Sequence, residues 1–227
     1  MIGKKKRIKK KEIQEDKLVS TYYQTQEFIE KYKQNIIIVV AVIAVIVVAT
    51  VWYMSKKKED NLIASNKLSQ IVSVYEKGEY QKAIDGEPGT QLEGLKAIVE
   101  NYGNTEQGEI AKIYLANSYY SVGNYENALE QYENYSGSSK LHKAAALAGM
   151  ASCYEMQNKF SEAAEKYKAA AKEDKLKSQN ASYLLNAGIN YLKADEKEEA
   201  KTVFQLVKKD YTQTAAAQEV DKYLLQL

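Results

Sequence analysis

Residues 115–132, LANSYYSVGNYENALEQY, set beside 150–167, MASCYEMQNKFSEAAEKY, and 187–204, AGINYLKADEKEEAKTVF, decide the fold. Small residues recur at Ala116, Ala151 and Gly188, and again at Ala128, Ala163 and Ala200, the last three standing 35 and then 37 residues apart. Aromatic residues keep step at Tyr119, Tyr154 and Tyr191, and at Tyr132, Tyr167 and Phe204. Self-similarity at such a period is the signature of stacked helical hairpins, none of which can bury its apolar face alone. Each unit reads as a helix, a tight turn and a second helix. The small residues mark where the two helices cross, because only a short side chain permits close approach. Gly123 and Asn158 can take the left-handed backbone that ends a helix. The aromatic positions fill the space between hairpins, each contributing roughly 1.5–3 kcal/mol on burial before ordering costs.

Working outward, Tyr75, Gly78, Tyr80 and Ala83 carry the turn and second helix of a degenerate first unit. Asp85-Gly86-Glu87-Pro88-Gly89 interrupts it with a strong loop signal, and a helix is predicted to resume over Leu92–Tyr102. Tyr102-Gly-Asn-Thr105 and Tyr211-Thr-Gln-Thr214 read as one recurring turn, each threonine placed to cap the following helix. Ala215–Leu227 reads as a closing helix, which end repeats require. With a single proline to break helices and nineteen tyrosines to fill gaps, the body is predicted to be nearly all helix. The fold class is all-α: one N-terminal transmembrane helix, then a helical-hairpin solenoid with a C-terminal cap.

The transmembrane element is Ile36–Met54, IIIVVAVIAVIVVATVWYM, nineteen residues without a charge. At helical rise it spans about 28 Å, close to the hydrocarbon thickness of a bilayer. A cleaved signal peptide fits poorly, since thirty-five residues precede the run and Trp52-Tyr53-Met54-Ser55 leads into Lys56-Lys57-Lys58 with no small-residue cleavage pattern. A strand of this length is unusual, and the Trp-Tyr pair suits a membrane interface. The chain thus divides into a basic head at 1–35, the span at 36–54 and a repeat domain at 55–227.

Charge is uneven about the span. Residues 1–35 hold ten basic and five acidic residues, a net of +5; the remaining 22 basic and 25 acidic residues give −3. The body is therefore no electrostatic nucleic-acid binder. Lys4–Lys11 argues for a cytoplasmic N-terminus and for attraction to anionic lipid, whereas Lys56-Lys57-Lys58 puts basic charge on the other flank and leaves a cytoplasm-facing body as an alternative. Between cluster and span, Leu18, Val19, Tyr22, Tyr23, Phe28, Ile29 and Tyr32 recur at approximately helical spacing, which suggests an amphipathic juxtamembrane helix.

Nothing in the sequence resembles an active site. There is no glycine-rich phosphate loop, and one histidine (His142) with one cysteine (Cys153) supplies no standard metal cluster. The acidic group Asp195-Glu196-Glu198-Glu199 opens a helix, where the macrodipole favours negative charge. No catalytic, cofactor-binding or metal residues are expected, and no cofactor.

The small-residue, aromatic and alanine positions of residues 109–210 resemble tetratricopeptide repeats. The third copy departs at Asp195 and Lys197, where glycine and an aromatic are usual, and Lys140, Lys175 and Thr212 replace the closing proline. Position-by-position carry-over implies a concave groove lined by Ile113, Asn117 and Tyr120, then Ser152, Glu155 and Met156, then Leu185, Ile189 and Leu192. Relatives that clamp a peptide's terminal carboxylate carry lysine where Ile113 stands, so that clamp is not implied here. For the Leu and Ile positions of the third unit, contact with the capping helix is an equal alternative. The whole layout is similar to the ancillary subunit family of the bacterial SecYEG translocon. That resemblance implies a periplasmic body on the inner membrane, binding translocon, chaperones or emerging clients. The alternative is a scaffold for another envelope assembly, such as cell division or secretion.

Overall fold

A computed structural model describes residues 10–173, 177–225 and 227, and every described regular element is a helix. The chain separates into two units, 1–56 and 57–227. The helix α1, Lys10–Glu76, contributes to both.

Within the first unit α1 is long and apolar enough to cross a membrane, and each residue from Ile36 to Met54 is exposed. The juxtamembrane stretch and the apolar run belong to one uninterrupted helix, with Val19, Tyr22, Tyr23, Phe28, Ile29 and Tyr32 all exposed. Of the basic cluster expected near anionic lipid, Lys4–Lys9 lies outside the described residues, as does Lys175 of the inter-repeat position.

The second unit is built from the C-terminal part of α1 and nine further helices among the described residues: α2 (Tyr80–Asp85), α3 (Leu95–Tyr102), α4 (Glu106–Ser121), α5 (Tyr125–Glu133), α6 (Lys140–Met156), α7 (Phe160–Glu173), α8 (Lys177–Lys193), α9 (Lys197–Asp210) and α10 (Ala215–Leu224). Pairs α4/α5, α6/α7 and α8/α9 are the three repeats, each packed on the next, and α10 closes the stack against α8 and α9.

One turn recurs. At Gly78, Gly123, Asn158 and Asp195 the backbone is left-handed, with φ of 80°, 81°, 57° and 62°. Each time two hydrogen bonds close the preceding helix: Gly123 N–H to Tyr120 O (3.0 Å) with Asn124 N–H to Tyr119 O (2.8 Å), then Asn158 to Glu155 (2.9 Å) with Lys159 to Tyr154 (2.9 Å). Asp195 to Leu192 (3.1 Å) with Glu196 to Tyr191 (2.8 Å) repeats the pattern, as does Gly78 to Tyr75 (2.9 Å) with Glu79 to Val74 (3.3 Å). These pairs satisfy carbonyls the helix end would otherwise orphan. The third repeat keeps the left-handed turn although Asp195 replaces glycine, because a short polar side chain tolerates that region.

The expected caps are present: Thr105 accepts from the Gly108 amide (3.0 Å) and Thr214 from the Ala217 amide (3.2 Å). Helix α3 begins at Leu95 rather than at the predicted Leu92. The cause is a tight loop, in which the Glu87 N–H donates to Leu92 O at 3.0 Å and Gly86 bridges Glu93 in antiparallel fashion. A Cβ on Gly94 would lie 2.3 Å from Ile84 O, so only glycine fits there.

The five alanines and one glycine of the crossing pattern are buried: Ala116, Ala151, Ala128, Ala163 and Ala200 are all fully so, and Gly188 lies beneath the Phe204 ring. Three apolar clusters follow the chain. The first joins Ile71, Ile84, Leu95 and Ile98; the second joins Ile113, Tyr132, Met150 and Cys153; the third and largest joins Leu185, Phe204, Val207 and Val220.

Candidate functional site

The first helices of the repeats, α4, α6 and α8, wall a concave cavity of about 400 Å³. Its α4 side carries Asn117 and Tyr120, its floor on α6 is Ala145, Ala148, Gly149 and Ser152, and its α8 side carries Tyr183 and Asn186. Tyr132 and Tyr167 reach it from the second helices α5 and α7. The floor is low because the Tyr132 ring lies so close to Gly149 that a Cβ there would meet it at 2.2 Å.

Most polar groups of the groove are tied to one another. The Tyr132 hydroxyl donates to Asn117 Oδ1. One repeat on, Ser152 Oγ and the Tyr167 hydroxyl lie 3.0 Å apart, and Tyr167 donates to Glu155 Oε2 at 2.9 Å. Glu155 Oε1 accepts from Asn190 Nδ2 at 2.8 Å and from Lys193 Nζ at 3.4 Å. Glu155 is thus compensated in place, and Lys193 also lies over the Phe160 ring at 5.3 Å.

Burial pushes the Tyr132 and Tyr167 phenols far above their ordinary range; at Tyr167 the Ser152 hydrogen bond opposes this and the Glu155 charge reinforces it. Tyr120 is raised as well, by burial and then by its neighbours Tyr125, Cys153 and Glu155. The phenols therefore act as neutral donors and acceptors. Burial drives the Cys153 thiol up to about 12 and the side chain is fully enclosed, so it behaves as a small core residue, not a nucleophile. Among the described residues no group of three or more His, Cys, Asp or Glu side chains could hold a metal ion. Such a surface can hold a polypeptide by shape, phenol and carboxamide contacts.

Of the residues carried over from the repeat pattern, Asn117, Tyr120 and Ser152 line the groove together. Glu155 stands behind it, bonded to Tyr167. Ile113 and Leu185 are buried in the clusters between repeats, and Ile189 and Leu192 pack against the cluster that includes α10 residues Ala216, Ala217 and Val220. Met156 is exposed at the end of α6 and does not line the cavity. Tyr183 and Asn186 line it without having been singled out. A signal existed at Asn186: it is a polar residue within the inner-helix run 183–192, otherwise rich in apolar residues.

No curated protein is significantly similar to the chain. Residues 26–226 match the tetratricopeptide repeat-like domain, a scaffold type, and the match takes in the apolar run as well as all three hairpins. The chain belongs to the tetratricopeptide repeat-like domain family.

Proposed function

We propose that this chain is a membrane-tethered, non-catalytic scaffold that binds protein partners in its concave groove, as an accessory subunit of the bacterial Sec translocation machinery. The observation that carries the binding role is the groove itself: three inner helices present Tyr120, Tyr183 and Asn186 around a floor of small residues. Ile36–Met54 is the tether that attaches the repeat domain to the membrane. The cluster Lys4–Lys11 favours a cytoplasmic N-terminus touching anionic lipid and hence a periplasmic body. Support for the translocon assignment is the layout: an N-terminal helical head, one apolar run, a degenerate first hairpin and three repeats, the family match starting at residue 26 ahead of the apolar run.

Affinity purification of the full chain in mild detergent tests the assignment. Translocon subunits, depleted by Tyr120→Ala, are the expected result. Recovery of only division or outer-membrane assembly proteins would move the chain to another envelope scaffold. Complete protease protection of the body in spheroplasts would turn it to the cytoplasm.

A further inference from the structure

A second cavity, of about 380 Å³, opens between α7 and α9, and none of the residues lining it lines the concave groove. Its floor is largely apolar. Tyr191 is almost fully buried there, and its hydroxyl donates to Glu165 while accepting from Lys168 Nζ at 2.8 Å. Lys168 is itself paired with Glu165 at 2.8 Å and lies over the Tyr191 ring at 5.2 Å. Leu184 and Val203 complete the floor, each more than nine-tenths buried, whereas Leu206 on the rim is 40% exposed.

The walls differ in sign. Lys172 stands on the α7 side, Glu198 and Glu199 on the α9 side, and none of the three has an ion-pair partner among the described residues. An apolar floor between a basic and an acidic wall fits neither a simple anion, which the glutamates repel, nor a purely apolar ligand. The α9 wall extends from Glu198 to Leu206, roughly 12 Å or two helical turns. A trough of that length between two helices is matched by a third helix laid along it with an apolar stripe inward.

We propose that the α7–α9 crevice is a docking site for an amphipathic helix of a partner protein, its apolar stripe edged by acidic residues facing Lys172 and by basic residues facing Glu198 and Glu199. The apolar side chains fill the cavity over Leu184, Tyr191 and Val203, with Leu206 covering them at the rim. This surface is independent of the concave groove, so one chain can hold two partners at once.

The test uses the full chain in lipid nanodiscs and a fluorescent synthetic peptide of about four helical turns, with leucines at helical spacing, glutamates along one edge and lysines along the other. Binding is read by anisotropy after subtracting empty nanodiscs. The expected result is saturable binding that Leu206→Asp weakens by about tenfold or more and that Tyr120→Ala leaves unchanged. Lys172→Glu makes both walls acidic, so preference should shift to a peptide with lysine on both edges; this second variant changes an exposed side chain and keeps the fold. Equal binding by the wild-type chain and Leu206→Asp overturns the proposal, as does a loss shared with Tyr120→Ala. Binding of dodecanoate without binding of the peptide also overturns it, by assigning the cavity to a small amphiphile.

Discussion

In two of the three repeats a hydroxyl from the second helix meets a polar side chain on the first, fifteen residues earlier: Tyr132 with Asn117 and Tyr167 with Ser152. The third repeat has Phe204 and Ile189 at the same two places. Phe204→Tyr is the informative perturbation. The Phe204 ring is fully buried, pressed on Gly188 and stacked on Tyr223 at 5.5 Å between centroids, so a new hydroxyl cannot swing toward water. Ile189, at the place equivalent to Asn117 and Ser152, offers no hydrogen-bond partner, and an unpaired buried hydroxyl costs about 1–3 kcal/mol. For a body of this size that is a fall in Tm of about 2–12 °C, at 2–4 °C per kcal/mol. Adding Ile189→Asn rebuilds the Asn117–Tyr132 arrangement. The double variant is expected to be more stable than the sum of the single losses by about 1 kcal/mol, within the range of contacting pairs. Thermal circular dichroism of the four proteins of the cycle, full-length in detergent, gives the coupling. A double variant that loses as much as the two single changes together would refute the equivalence of the three pairs.

Thr105→Ala removes a buried cap and should lower stability by about 1 kcal/mol in the same melts. Asp195→Gly relieves the left-handed strain at φ 62° and should raise Tm slightly, by about 1–4 °C. Maleimide should label Cys153 only after unfolding, because the thiol is enclosed and its pKa is driven to about 12; rapid native labelling at neutral pH would contradict the packing. At Glu109 burial pushes the carboxyl up, but hydrogen bonds from Lys112 and Ser136 outweigh it and leave the group below its ordinary 4.5. Its stabilising contribution is therefore complete above 4.5 and lost as pH falls through the lowered value; urea midpoints of Glu109→Gln should decline less than wild type in that acid window.

What the sequence made legible was the backbone of the repeats. A left-handed residue, a small residue and a capping threonine are each local demands, met within a few residues of chain, so Gly123, Asn158, Thr105 and Thr214 could be placed by inspection. The start of α3 could not, since it depends on the Gly86–Glu93 bridge between segments whose approach only the folded chain sets. Asn117 was legible as a groove position but not as the acceptor for Tyr132, because that contact joins two helices whose crossing only the folded hairpin sets.

The groove's position along the stack has a similar origin. Ile113, Ala148 and Leu185 are equivalent in the repeat register, yet Ile113 and Leu185 are buried in core clusters while Ala148 lines the cavity. An isoleucine or leucine at that place is long enough to fill the seam between successive first helices; an alanine is not. The space is left open over the middle repeat, where Ala145 and Gly149 are equally short. Filling it is then a matter of one side chain: Ala148→Leu should close the floor while Tyr120, Tyr183 and Asn186 stay in place at the rim. Loss of partner binding in Ala148→Leu with an unchanged melting profile would locate recognition on the floor. Retained binding would place it on the rim alone.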